Sequence, residues 1–177
     1  KLYYEGTPII SDSQYDELER VYGSKSGIGY NKDGGVKHLV PMYSLKKLYK
    51  GEDTIPEGNW VITPKLDGAA VSLLYINGSL KQVLTRGNGE YGTDISHLFI
   101  DNPQCIVPKY LGEKIEILQV TGEIVTTKDT PNARNYAAGA LSLKDVDEFN
   151  SRYLEFFAYD CNTPDLFTPY ILYTTKL

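Results

Sequence analysis

Apolar and β-branched residues fall into short runs along the chain, separated by turns rich in glycine, proline and asparagine. The run Ala69–Ile76, AAVSLLYI, is followed by Asn77-Gly78 and then by Ser79–Thr85. Asn-Gly suits a two-residue hairpin turn because both positions tolerate positive φ, so these runs predict paired antiparallel strands. With Asn77 and Gly78 as the loop, the expected register sets Ile76 against Ser79, Val71 against Leu84, Ala69 against Arg86 and Gly68 against Gly87. Upstream, a β-rich run over 60–63 stops at Pro64. Downstream, IEILQVTGEIVT over 115–126 predicts a strand whose period of two places Gln119, Thr121 and Glu123 on one face. Leu118, Val120 and Ile124 then take the other face. YLEFFAY, over 153–159, predicts a further buried strand.

Ahead of these strands the pattern changes. Ser11-Asp12-Ser13-Gln14 has the form of a capping box, serine at the cap and glutamine three later. It opens a helix carrying Tyr15, Leu18 and Val21 or Tyr22 on one face, which stops near Gly23. Residues 23–37 are glycine-rich and read as a linker or an ordinary surface loop. The expectation is an α+β protein, mainly antiparallel, with a small helical element and linker over 1–35 and the body over 36–177.

Composition narrows the class. At 177 residues and 41% hydrophobic, the chain can bury one medium core, or one core plus a small appendage. Acidic residues outnumber basic ones 23 to 18, and a net charge of −5 argues against a chain that grips nucleic acid by itself. No apolar run has the length of a membrane span and no signal-peptide pattern opens the chain. Cys105 and Cys161 lie far apart without C-x-x-C spacing, which suits reduced thiols and argues against zinc. His38 and His97 are too isolated to suggest a metal cluster. Fifteen tyrosines against a single methionine fit a β-rich body. Lys1 as first residue and an unfinished run over 169–177 lead to the expectation of a fragment.

The candidate chemistry gathers at one end of the hairpin. Lys65, Asp67 and Arg86 converge there, with glycines clearing the backbone, and that set suits an anionic ligand such as a nucleotide phosphate. A solvated hairpin end with a surface lysine has the same spacing. Asp12 and Asp16, four apart, suit either a cation or the positive end of a helix. Glu123 suits either solvent or a ligand.

The segment PKLDGAAVSLLYINGSLKQVLTRGNGEYGTDIS resembles the stretch around the adenylated lysine of NAD-dependent DNA ligases, members of the covalent nucleotidyltransferase superfamily. The likeness covers the hairpin, the R-G-N-G loop and the following G-T-D-I, and other segments match in the same order. Tyr3-Tyr4 and Pro8–Asp16 are similar to the small domain that holds the nicotinamide mononucleotide half of NAD, which implies contacts from Tyr3, Asp12, Tyr15 and Asp16. VPMYSL resembles V-P-M-L-S-L, implying that Ser44 and Leu45 line the dinucleotide site. TGEIV is similar to V-R-G-E-V, implying that Glu123 binds the adenosine ribose and helps place Mg²⁺. PNARNYAAGAL resembles N-P-R-N-A-A-A-G-S-L, an alanine-rich short helix on which Arg134 faces a nucleic-acid phosphate or a structural ion pair. YLEFFAY resembles L-x-F-F-x-Y, placing Tyr159 on adenine, although core packing accounts for it equally well.

The resemblance implies an incomplete nucleotidyltransferase core and three phosphoryl transfers. Lys65 attacks the α-phosphorus of NAD, AMP passes to the 5′-phosphate of nicked double-stranded DNA, and the 3′-hydroxyl displaces it. Asp67 and Arg86 belong to the nucleotide site. Four departures stand out: Tyr4 for His, Thr63 for the Glu that reads the adenine amino group, Thr121 for Arg, and Lys46-Lys47 for Asp-Asn. The family's downstream lysine motifs and OB-fold are not found, so a truncated chain, or a subunit completed by a second polypeptide, is expected. The implied setting is bacterial cytoplasm, or that of a phage host. An ATP-using nucleotidyltransferase and a catalytically silent binding module are the rival readings.

Overall fold

The computed structural model describes residues 35–44, 48–49, 51–54, 57, 64–112 and 115–163. The expected N-terminal helix, the run over 60–63 and the run over 169–177 lie outside the described residues.

The hairpin forms as its turn dictates. Strand β2 (Ala69–Ile76) reverses through Asn77 at φ 50° and Gly78 at φ 74° into β3 (Ser79–Thr85). Strand β5 (Ile117–Thr126) pairs with the free edge of β2, and β6 (Leu154–Cys161) pairs with β5. The result is a four-stranded antiparallel sheet in the order β3-β2-β5-β6. A second, short ladder joins β1 (Val36–Lys37) to β4 (Tyr91–Gly92). The expected linker over 23–37 therefore ends in paired structure. The protein is mixed α/β with antiparallel sheets and few helices among the described residues.

The alternation read from β5 holds. Leu118, Val120 and Ile124 are buried against one side of the sheet, with Val71, Leu73 and Tyr75 from β2 and Val83 from β3. Helix α1 (Ala133–Ala140), capped by the Asn132 side chain accepting from the Asn135 amide, lays Ala137 and Ala140 into this core. Methyl side chains let the helix approach the strands closely, as the alanine-rich segment predicts. Helix α2 (Val146–Asn150) was not anticipated; Asp145 caps it, and its Phe149 meets Phe99 edge-on with ring centroids 5.4 Å apart.

One part of the expected register is wrong. Ile76 does face Ser79, but β3 carries a bulge, and Tyr75 pairs with Leu80 while Leu74 pairs with Gln82. The extra residue, Lys81, shifts everything beyond it by one, so Val71 faces Thr85 instead of Leu84. The Arg86 amide accordingly donates to the Ala70 carbonyl, at 3.0 Å. A one-residue slip moves a side chain to the other face of a sheet. Under the expected register Arg86 would share the row of Ala69 and Ile124, on the core side. The bulge brings it to the row of Ala70 instead.

Candidate active site

The side of the sheet away from the core carries the chemistry. Glu123 pairs with Ala70 on one side and with Phe157 on the other. Arg86, Ala70 and Glu123 therefore share one cross-strand row. Gly68 brings the preceding turn down onto the same place. A Cβ there would lie 2.2 Å from the Ile124 carbonyl oxygen and 2.9 Å from the Glu123 Cγ, so only glycine lets the Lys65–Asp67 backbone run so close to β5.

Electrostatics report the same gathering. Burial raises the Glu123 carboxyl above its ordinary range. Lys65, Arg134 and Arg86 each pull it back down, and Asp67 pushes it up. The charges of Lys65, Asp67 and Arg86 are thus felt at Glu123, a meeting point that the expected register did not include, with Arg134 of α1 joining them. Sequence reading had set Arg134 against nucleic acid or a structural partner, and only the packing of α1 on β5 brings it to this carboxylate. Lys65 and Asp67 are exposed at the rim, and Arg86 is half-buried.

Tyr159 stands beside this set because β6 also bulges. Thr121 pairs with Asp160 and Gly122 with Ala158, which leaves Tyr159 as the extra residue. Bulges next to functional sites commonly re-aim a side chain. Burial, with Glu123 next, pushes the Tyr159 phenol up to about 12. Tyr159 remains 43% exposed.

A strap, residues 35–44, covers the remainder of this face. The Gln119 amide, 3% exposed, accepts from the Val40 amide at 2.9 Å and donates to the Val40 carbonyl at 2.8 Å, as a strand would. The Met42 amide donates to the Gly89 carbonyl at 2.7 Å. At the end of the strap the Arg86 Nη1 donates to the Ser44 hydroxyl at 3.3 Å, so Ser44 joins the site. Tyr3, Asp12, Tyr15, Asp16 and Leu45 lie outside the described residues, as do Tyr4, Thr63, Lys46 and Lys47. Sequence reading missed the buried His38 and Gln119, whose spacing carries no motif. Among the described residues, no group of three or more His, Cys, Asp or Glu could hold a metal ion.

The sign of the Glu123 shift makes a prediction. A carboxyl raised on folding adds stability at low pH that is lost as pH rises through its folded value. Glu123→Gln, neutral and of the same shape, is therefore expected to raise the melting temperature at pH 7. The gain should vanish below the ordinary glutamic acid range, about 4.3. Thermal melts at pH 7 and pH 4 check this, and a lower melting temperature for the variant at pH 7 would contradict it.

An amine, two guanidiniums and a half-buried carboxylate whose charges meet at Glu123 define an anion-handling site of the kind that suits phosphates. The chain matches the family described as NAD-dependent DNA ligase adenylation domain over residues 31–171, and it belongs to that family. It is 30% identical over 200 aligned residues to a DNA ligase of Neorickettsia sennetsu, covering 93% of this chain and 29% of that protein. A DNA ligase of Campylobacter jejuni is 31% identical over 202 residues, covering 90% of this chain and 30% of the relative. One from Borreliella afzelii is 34% identical over 148 residues, with 71% and 22% covered. The chain thus spans less than a third of the length of these relatives.

Proposed function

We propose that this chain is the adenylating part of a DNA ligase and that Lys65 takes AMP from NAD. The observation that carries the reading is the single neighbourhood of Lys65, Arg86 and Glu123, with the charge of both cations felt at the carboxylate. The Lys65 amine, in its neutral form, donates its lone pair to the α-phosphorus of NAD. A nitrogen–phosphorus bond forms, the bond to the bridging oxygen breaks, nicotinamide mononucleotide leaves, and the amine gives up a proton. Arg86 faces the phosphate oxygens as charge builds on them, held in place by Ser44. Glu123 receives the ribose hydroxyls and Tyr159 the adenine face. Glu123 would help hold Mg²⁺ together with substrate phosphates, since a half-buried carboxylate gains from a cation. When bound it would offset charge on the phosphate oxygens.

The same reading assigns residues 36–177 to a nucleotidyltransferase fold and 1–35 to the element and linker that meet the nicotinamide half. There Tyr3, Asp12, Tyr15 and Asp16 supply two aromatic rings and two carboxylates for a cationic ring and ribose. Leu45 lines the dinucleotide site beside Ser44. AMP then passes to the 5′-phosphate of nicked double-stranded DNA for sealing, with further lysines and an OB-fold supplied by the remainder of a longer chain or by a second polypeptide. The bacterial relatives support a cytoplasmic setting, in a bacterium or a phage-infected host. No helix among the described residues is long and apolar enough to cross a membrane.

Incubation with adenine-labelled NAD or adenine-labelled ATP, in Mg²⁺, tests the proposal. Label on Lys65 from NAD alone is the expected result. Label from ATP alone replaces it with an ATP-using transferase, and label from neither replaces it with a binding module.

A further inference from the structure

His38 is buried at 4% exposure in the strap, yet its ring is not packed as an apolar filler. Its Nδ1 lies 2.9 Å from the Ser72 hydroxyl and its Nε2 lies 3.2 Å from the Arg86 carbonyl. A carbonyl only accepts, so the ring proton is assigned to Nε2, and the Ser72 hydroxyl then donates to Nδ1. Ser72 is itself buried at 3%, in the middle of β2. The imidazole thus ties the rigid centre of the sheet to the backbone of the arginine that faces the candidate phosphate position.

The surroundings are built around that ring. The His38 amide donates to the Glu90 carbonyl at 2.9 Å, joining the strap to the far side of the Arg86–Gly89 loop. A Cβ on Gly92 would lie 3.0 Å from His38 Nε2 and 1.9 Å from the Thr85 carbonyl oxygen, so glycine there leaves the ring its place. The Arg86 carbonyl also accepts from the Gly89 amide at 3.0 Å, which closes the loop. Gly87 and Gly89 hold positive φ, 56° and 98°, a backbone path that glycine adopts without strain, and the strap adds the His38 and Met42 contacts to the loop's own hydrogen bonds. Burial lowers the basicity of the imidazole, in keeping with a neutral ring that accepts on one side and donates on the other.

We propose that His38 is a positioning residue: through Ser72 and the Arg86 carbonyl it sets the direction in which the Arg86 guanidinium leaves the sheet. The inference rests on the proposed adenylation by Lys65 for its kinetic consequence. Its structural consequence, a loop held by the imidazole, stands apart from that reading.

Two substitutions separate the ring nitrogens. Glutamine places an amide N–H near the Nε2 position, and asparagine places its polar atoms near Nδ1, away from Arg86. His38→Gln should form lysine–AMP within about threefold of the unaltered chain at saturating NAD. His38→Asn should be slower by about 10- to 100-fold, the scale of misplacing a group in a reacting site by up to an ångström. The fall should lie in the rate constant and much less in the apparent affinity for NAD. Amide hydrogen exchange on the same proteins supplies the second readout. In His38→Asn the Gly89 and Met42 amides should exchange faster while those of β5 stay protected, and His38→Gln should restore protection. If the two variants behave alike, or if β5 loses protection together with the loop, His38 is an ordinary buried side chain and the inference fails. If the unaltered chain takes no AMP from NAD, the function reading fails, and exchange at Gly89 and Met42 still decides the role of His38.

Discussion

Lys65→Arg is expected to abolish attachment of AMP, with the rate falling on the order of 10⁴-fold or more, as when a nucleophile is removed from an active site. Arginine keeps the positive charge beside Glu123 and a side chain of similar reach. A guanidinium stays protonated and has no free lone pair to give to phosphorus. Charge and shape survive while nucleophilicity is lost. Because Lys65 is exposed at the rim, stability should stay within the range of an ordinary surface substitution, about 0.5 kcal/mol, read by thermal melts. Intact-mass measurement after incubation with NAD reads the outcome. An AMP adduct on the arginine variant at the original rate would place the nucleophile elsewhere and end the assignment.

Gly68→Ala should have the next largest effect, by moving that nucleophile without altering it. The added methyl group would meet the Ile124 carbonyl oxygen at 2.2 Å, the Val125 Cγ1 at 2.8 Å and the Glu123 Cγ at 2.9 Å. Side chains can turn away, but the carbonyl belongs to the β5 ladder, so the turn must lift off the strand instead. Overpacking of this kind costs about 1–3 kcal/mol, read as a lower melting temperature. Displacing the Lys65–Asp67 turn from Glu123 and Arg86 should slow AMP attachment about 100-fold at saturating NAD. Gly112→Ala is the control, since nothing lies within 4 Å of a Cβ at that position. Equal rates for the two alanine variants would show that close approach of the turn to β5 is not required.

Which residues build the four strands of the main sheet was legible along the chain, while the short β1–β4 ladder was not. Asn77-Gly78 marked the hairpin, the alternation in β5 separated Leu118, Val120 and Ile124 from Glu123, and small residues marked the helix over Ala133–Ala140. Lys65, Asp67 and Arg86 were singled out by type and spacing, which left a solvated hairpin end open, and the family resemblance favoured the site reading and added Glu123. How those residues meet was less legible. Arg86 was expected beside Ala69, and it faces Ala70 because Lys81 is bulged out of the β2–β3 ladder. Tyr159 reaches the same site through a second bulge, opposite the Thr121–Gly122 step.

His38 was legible only as an isolated histidine. Its partners are Ser72, 34 residues on, and Arg86, 48 residues on, and neither distance carries a periodicity. Gln119 and Val40 are likewise 79 residues apart.

By itself, then, the order of amino acids determined the four strands of the main sheet, the inward face of β5, the turn between the first pair and the chemical types available to a site. Those properties depend on neighbours within a few positions, where backbone sterics and side-chain alternation act. Only the tertiary structure decided that Arg86, Glu123 and Tyr159 look out from the same side of the sheet, and that a strap held by His38 and Gln119 lies across it. A bulge adds one residue to one strand, and its place is chosen by how whole strands pack against their partners. No local pattern records that choice.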